Sequence, residues 1–181
     1  VKLFLDGSAG GRTAWMKQPY RDANTVGTHL FTDAELRAQV MDLHAKGYRM
    51  VCHAIGDAAI AQLVSAYEAA LAAEPDPDRR HRIEHCGYVD ADINARMVKA
   101  GVLPCPQQVF IHDFGDAYIA VLGEERALSS YPIKTWMRLG LRPATGSDAP
   151  VCDPNPFPNF HAMLTRETFR GTLMDATERL G

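Results

Sequence analysis

A chain of 181 residues with 46% apolar content is long enough to bury a core of its own. Its formal net charge of -3, with Lys and Arg scattered along it, supplies no basic field for a phosphate backbone, so nucleic acid is excluded as a partner. No apolar run approaches the ~20 residues that span a bilayer and no leader pattern opens the chain, so no membrane attachment is expected. The 4 cysteines, dispersed with no C-x-x-C pair, predict a cytoplasmic protein with small buried thiols rather than a zinc knuckle or a disulfide-dense secreted module.

Periodicity alternates between strand and helix, the signature of βα units and a parallel sheet. Val1 to Leu5 reads as a strand that stops at Asp6-Gly7. A long stretch without period follows through Gly10-Gly11-Arg12 to about His29, and a loop of that length inside a compact domain is usually functional. Thr32 and Glu35 form a capping box for a helix carrying Leu36, Val40 and Leu43, ended by Gly47. Tyr48 to His53 is the second strand. The helix from Gly56-Asp57 through Ile60, Leu63, Val64, Tyr67 and Leu71 is closed by Pro75-Asp76-Pro77.

His81 to His85 is the third strand, Asp90 to Lys99 a helix, and Gly101 to Cys105 the fourth strand, stopped by Pro104 and Pro106. From Gln107 to Glu125 the pattern is weak, with a short helix over 117–122. Ser129 to Leu139 reads as helix, Leu141 to Ser147 as a fifth strand, and Asn155 to Thr165 as a last helix behind a Pro-rich turn. A closed (β/α) barrel needs eight strands and typically about 250 residues. Five units therefore predict a single domain over residues 1–181 that forms roughly strands four to eight of a larger barrel, cut at both ends. An open doubly wound sheet is the alternative.

Three segments, Val51-Cys52-His53, Arg82-Ile83-Glu84-His85 and Thr145-Gly146-Ser147-Asp148, each end an apolar run with a residue that can bind a divalent metal. Neutral imidazole is the commonest metal ligand, and strand ends are where barrel active sites sit. His53, His85 and Asp148 are thus candidate ligands, although a lone His in such a place can equally be a hydrogen-bonded core residue and Asp148 a helix cap. As a carboxylate beside a metal-bound water, Asp148 is also the candidate catalytic residue, taking up a proton and passing it to a leaving nitrogen.

Lys2, flanked by Val1 and Leu3, is expected to be desolvated, and a neutral amine there can become a carboxylated metal ligand or form a Schiff base; an exposed terminal lysine is the competing reading. Arg12 in the long loop is a candidate clamp for a substrate carboxylate or carbonyl, and His112 a candidate pocket residue. Glu84 is assigned to packing behind its neighbour and Asp57 to helix capping.

Lys2 to Ser8 with Gly11-Arg12-Thr13-Ala14, His53-Ala54-Ile55-Gly56-Asp57, Arg80 to Cys86, and Gly146 to Val151 together resemble the amidohydrolase superfamily, specifically the family 3 branch that includes YtcJ-like proteins and N-substituted formamide deformylases. The resemblance implies a distorted TIM barrel and one or two divalent ions, zinc first. It also implies hydrolysis of a non-peptide C–N bond in a small amide, with His53, His85 and Asp148 as ligands after strands five, six and eight and Lys2 after strand four. The family's H-x-H is absent from these 181 residues, so the chain alone is expected to be inactive. A lysine-dependent lyase and a noncatalytic half-barrel, self-associating through its open edge, are the competing classes.

Overall fold

The structure is a computed structural model and describes residues 1–76 and 78–181. Four strands, β1 (Lys2–Phe4), β2 (Val51–Ala54), β3 (Arg82–His85) and β4 (Leu103–Cys105), form one wholly parallel sheet in sequential order. Helices α1 (Asp33–Ala45), α2 (Asp57–Ala73) and α3 (Ala91–Ala100) make the three crossovers. Each strand is short and each return passes through a helix, as a curved segment of an α/β barrel wall requires.

Local signals place these helices as expected. Thr32 caps α1 reciprocally, accepting from the Glu35 amide while its own amide donates to the Glu35 carboxylate. Asp90 caps α3 through the Ile93 amide at 2.8 Å, and Gly101 ends it in the left-handed conformation. Helix α2 ends at Ala73; of the Pro75-Asp76-Pro77 stop, Pro77 lies outside the described residues.

The strands alternate. Leu5, Cys52, Ala54 and Ile83 pack outward against Leu36, Val40, Ile60, Leu63 and Met97 in a dry core. The other face carries Lys2, Phe4, Val51, Arg82 and Glu84, and Phe4 there is 51% exposed. A second apolar cluster, with Tyr88, Phe110, Tyr118 and Tyr131, sits over the C-terminal ends of the strands.

Three expectations are corrected. The weak stretch after β4 is one long helix, α4 (Val109–Leu122), followed by short α5 (Glu124–Leu128); the predicted 117–122 helix is only its last turns. The helix expected over 129–139 shrinks to α6 (Ile133–Arg138). Leu141 to Ser147 forms no strand, although Ala144 and Gly146 amides reach the Pro104 and Pro106 carbonyls at 3.3 Å, so the segment still runs beside β4. Pro104 in β4 and Pro106 just after it offer carbonyls but no amides, which leaves this edge half a ladder. The chain continues to α7 (Phe157–Thr165) and the short 3-10 turn Ala176–Glu178. Buried Arg166 ties these parts together, its guanidinium donating to the carbonyls of Met174, Tyr131, Leu128 and Ser130.

Candidate metal centre

The long loop after β1 is fixed by a residue that the sequence marks only as a strand stop. The side chain of Asp6 is fully buried, and its carboxylate accepts from the amides of Trp15 at 2.9 Å, Ile55 at 3.0 Å and Gly56 at 2.8 Å. Those bonds clamp the loop onto the β2–α2 turn. Gly56 is obligatory there: a Cβ would stand 2.0 Å from the Trp15 carbonyl oxygen, which accepts from the first amides of α2.

His53 ends up beside this clamp. Its Nε2 donates to the Gly7 carbonyl at 3.0 Å, with the Asp6 carboxylate 3.4 Å away, so the proton is on Nε2 and the lone pair on Nδ1. His85 has the opposite tautomer. Its Nδ1 donates to Gln107 Oε1 at 2.6 Å, Gln107 being oriented by its amide's bond to the Cys105 carbonyl, and the lone pair is on Nε2.

In register His53 lies opposite Glu84, one residue short of His85, so regular strands would aim the two imidazoles at opposite faces. The structure resolves this by turning His85 and Cys86 into the left-handed region, φ 67° and 52°. The rings then meet edge to face with centroids 4.4 Å apart. Strained backbone of this kind persists only where its surroundings hold it, and here it brings two donors together. Burial, and next to it the proximity of His53, push the His85 pKa down, with Asp148 opposing, so the ring is a neutral imidazole at neutral pH.

His53, His85 and Asp148 line one cavity of about 290 Å³ with Phe110, Phe114 and Tyr118. Asp148 also adopts a left-handed conformation, φ 57°, and its own carbonyl accepts from the Val151 amide. Among the described residues no three His, Cys, Asp or Glu side chains are close enough to enclose an ion. The donors fit a divalent metal in kind, with two imidazoles presenting lone pairs and a carboxylate on the same cavity, as part of a coordination set rather than a closed one.

The other expected residues stand elsewhere. Lys2 opens β1 instead of ending it, is exposed, and lays its ammonium over the Phe4 ring at 4.8 Å, so the expected desolvation is not found. Arg12 is held in a bidentate ion pair by Asp22, its Nε donating at 2.9 Å, and does not line the cavity. His112 faces away, bonded to Asp113 at 2.7 Å and packed against His161 and Phe169. Glu84 pairs with Arg82 at 2.6 Å, and Asp57 accepts the Lys17 amide at the start of α2. Asp6 and Gln107 were missed as site residues, since nothing in sequence distinguishes them from other polar residues at strand ends.

A parallel sheet with helical crossovers and paired histidines on one cavity at its strand ends defines the class: part of the wall of an α/β barrel. The profile of the amidohydrolase family matches residues 1–181, and the chain belongs to that family. It is 32% identical over 168 residues to Protein LONG AFTER FAR-RED 3 of Arabidopsis thaliana, covering 92% of this chain and 29% of that protein. It is 30% identical over 170 residues to the putative amidohydrolase YtcJ of Bacillus subtilis, covering 93% of this chain and 31% of the relative. An N-substituted formamide deformylase of Arthrobacter pascens is 23% identical over 154 residues, covering 84% of this chain and 28% of the relative. An uncharacterized metal-dependent hydrolase of Pyrococcus furiosus superposes with a TM-score of 0.84 at 30% identity, over 100% of this chain and 36% of that one. The chain therefore spans less than a third of the curated relatives it matches.

Proposed function

We propose that this chain contributes the later ligands of a zinc-dependent hydrolase that cleaves a C–N bond in a small amide. The observation that carries it is the convergence of the His53 and His85 rings, each with its outer nitrogen pinned and its lone pair left for an ion. A bound divalent ion supplies a Lewis acid and a water whose pKa falls to about 7. His53 Nδ1 and His85 Nε2 would hold it, and Asp148, which lines the same cavity without closing a three-donor set in this structure, would join them as a third ligand. Asp148, half-buried on the same cavity, takes up a proton and delivers it to the leaving nitrogen. Lys2 is on the same sheet face as His53, two residues earlier in register, but it is exposed with its ammonium over Phe4 and takes no part in the centre.

The hydrolase class rests on family membership, and the C–N bond on the activity named for the Arthrobacter pascens relative. Four free thiols suit a reducing compartment, and no helix among the described residues is long and apolar enough to cross a membrane. Because no H-x-H is present, these 181 residues by themselves bind metal weakly and turn over no substrate. The test is release of formate and amine from N-alkylformamides by the full-length protein, apo and zinc-reloaded, beside the 181-residue chain. Zinc-dependent turnover by the full-length protein alone is expected; turnover by the metal-free protein, or borohydride trapping of a substrate on Lys2, contradicts it.

A further inference from the structure

Helix α4 gives the cavity a second, chemically different half. Phe110, Phe114 and Tyr118 recur at i, i+4 and i+8, which stacks them on one helical face, and all three line the cavity. Phe110 lies parallel to the His85 ring, centroids 5.9 Å apart and planes 15° apart. Phe114 meets Phe110 edge to face at 5.1 Å, and Tyr118 follows Phe114 at 6.4 Å. Aromatic surface thus begins at the imidazole itself, with no polar break between the reacting end and the wall.

The wall is rigid. Tyr131 abuts Phe110 at 6.2 Å and Tyr118 at 6.4 Å, and Tyr88 abuts Tyr118 at 6.3 Å. Behind the helix Gly115 lets Thr168 approach so closely that a Cβ would stand 2.6 Å from its methyl group, which fixes the rotation of α4. At about 290 Å³ the cavity exceeds the ~150 Å³ in which a benzene ring can be held. Among the described residues no Lys or Arg lines it, Arg12 being engaged by Asp22.

We infer that the Phe110–Phe114–Tyr118 face of α4 is a subsite for an uncharged, ring-sized apolar substituent on the scissile amide, and that it disfavours amides carrying a carboxylate next to that ring. This rests on the hydrolase reading for the position of the amide, while the subsite itself is tested by binding alone. Calorimetry on the full-length metal-loaded protein compares N-(2-phenylethyl)acetamide, N-ethylacetamide and N-acetylphenylalanine, which shares the first compound's ring and adds a carboxylate. The first is expected to bind about 30-fold more tightly than the second, as burial of a phenyl group in a preformed apolar site gives, and about 10-fold more tightly than the third.

Phe114 is half-buried, so Phe114→Ala is a tolerable change; it should weaken the phenylethyl compound about 10-fold and leave N-ethylacetamide within about twofold, while Phe114→Leu keeps most of the affinity. Equal affinities for the three probes, or discrimination untouched in Phe114→Ala, overturn the subsite. Discrimination without hydrolysis of any amide supports the subsite and removes the reaction; hydrolysis without preference does the reverse.

Discussion

At the residue scale, the two imidazoles owe their orientation to the partners of their outer nitrogens. Gln107 holds the proton on His85 Nδ1 and the Gly7 carbonyl holds it on His53 Nε2. Outer partners of this kind usually contribute 10 to 100-fold in metal affinity, so Gln107→Leu is expected to weaken zinc binding by about that factor, measured by competition with a chromophoric chelator. An unchanged affinity would mean that the His85 tautomer is set by something else. That His53, His85 and Asp148 line one cavity follows a pattern visible in sequence, since each closes an apolar strand-like run. Lys2, Arg12 and His112 were singled out by residue type, and their final places were decided by partners that sequence spacing does not reveal: the Phe4 ring, Asp22 and Asp113. Asp6, which organises the whole loop, reads in sequence as an ordinary strand stop.

At the element scale, α1, α2 and β3 are locked together at the end of the sheet away from the cavity by two buried histidines. The Met50 amide donates to His81 Nδ1, which leaves Nε2–H to donate to His44 Nδ1 at 3.0 Å, and His44 Nε2–H then donates to the Glu74 carbonyl at 2.8 Å. His81 also stacks on Tyr67, with Arg79, Arg49 and Asp76 around the pair. Burial first, then His44 and Arg79, depress the His81 pKa to about 4. The folded protein holds this ring neutral while the unfolded chain protonates it below its ordinary value of 6.5, so stability is complete above pH 6.5 and falls as the pH drops toward 4. The loss across that window is ~3 kcal/mol. Urea unfolding at pH 7.5 and pH 4.5 should show it, and His81→Asn should flatten the dependence; an equal slope in both proteins contradicts the lock.

The elements themselves were readable in sequence to the degree that local chemistry dictated them. The capping box at Thr32 and the βα alternation appear where their residues predict, and the helix expected over Asp90 to Lys99 appears as Ala91–Ala100, with Asp90 as its cap and Gly101, expected to open the next strand, as its stop. The failures lie after β4, where tertiary contacts decide. Val109–Leu122 is apolar on several sides because it is covered by the tyrosine cluster and the 166–174 segment, which blurs the helical period. Leu141–Ser147 has a strand's composition but only a proline-containing neighbour to pair with.

At the scale of the whole molecule, no strand among the described residues pairs with the outer side of β1. The Leu5 amide bonds to the His53 carbonyl and the Val51 amide to the Val1 carbonyl, so residues 1, 3 and 5 face β2 while the Lys2 and Phe4 amides point outward. With 51% of Phe4 exposed, such an edge invites pairing. We expect the 181-residue chain in isolation to self-associate through β1, and Phe4→Pro, which removes an outward donor and spares the β2 ladder, to shift it toward monomer. Sedimentation velocity on both would decide, an unchanged distribution ruling out the β1 edge.

The most direct measurement is the metal content of the full-length protein and of its His53→Ala and His85→Ala variants after equilibration with zinc at neutral pH. Both variants should lose most of the metal that the native protein retains, while remaining folded by circular dichroism. Equal metal in all three would show that these two imidazoles, close as they stand, hold no ion.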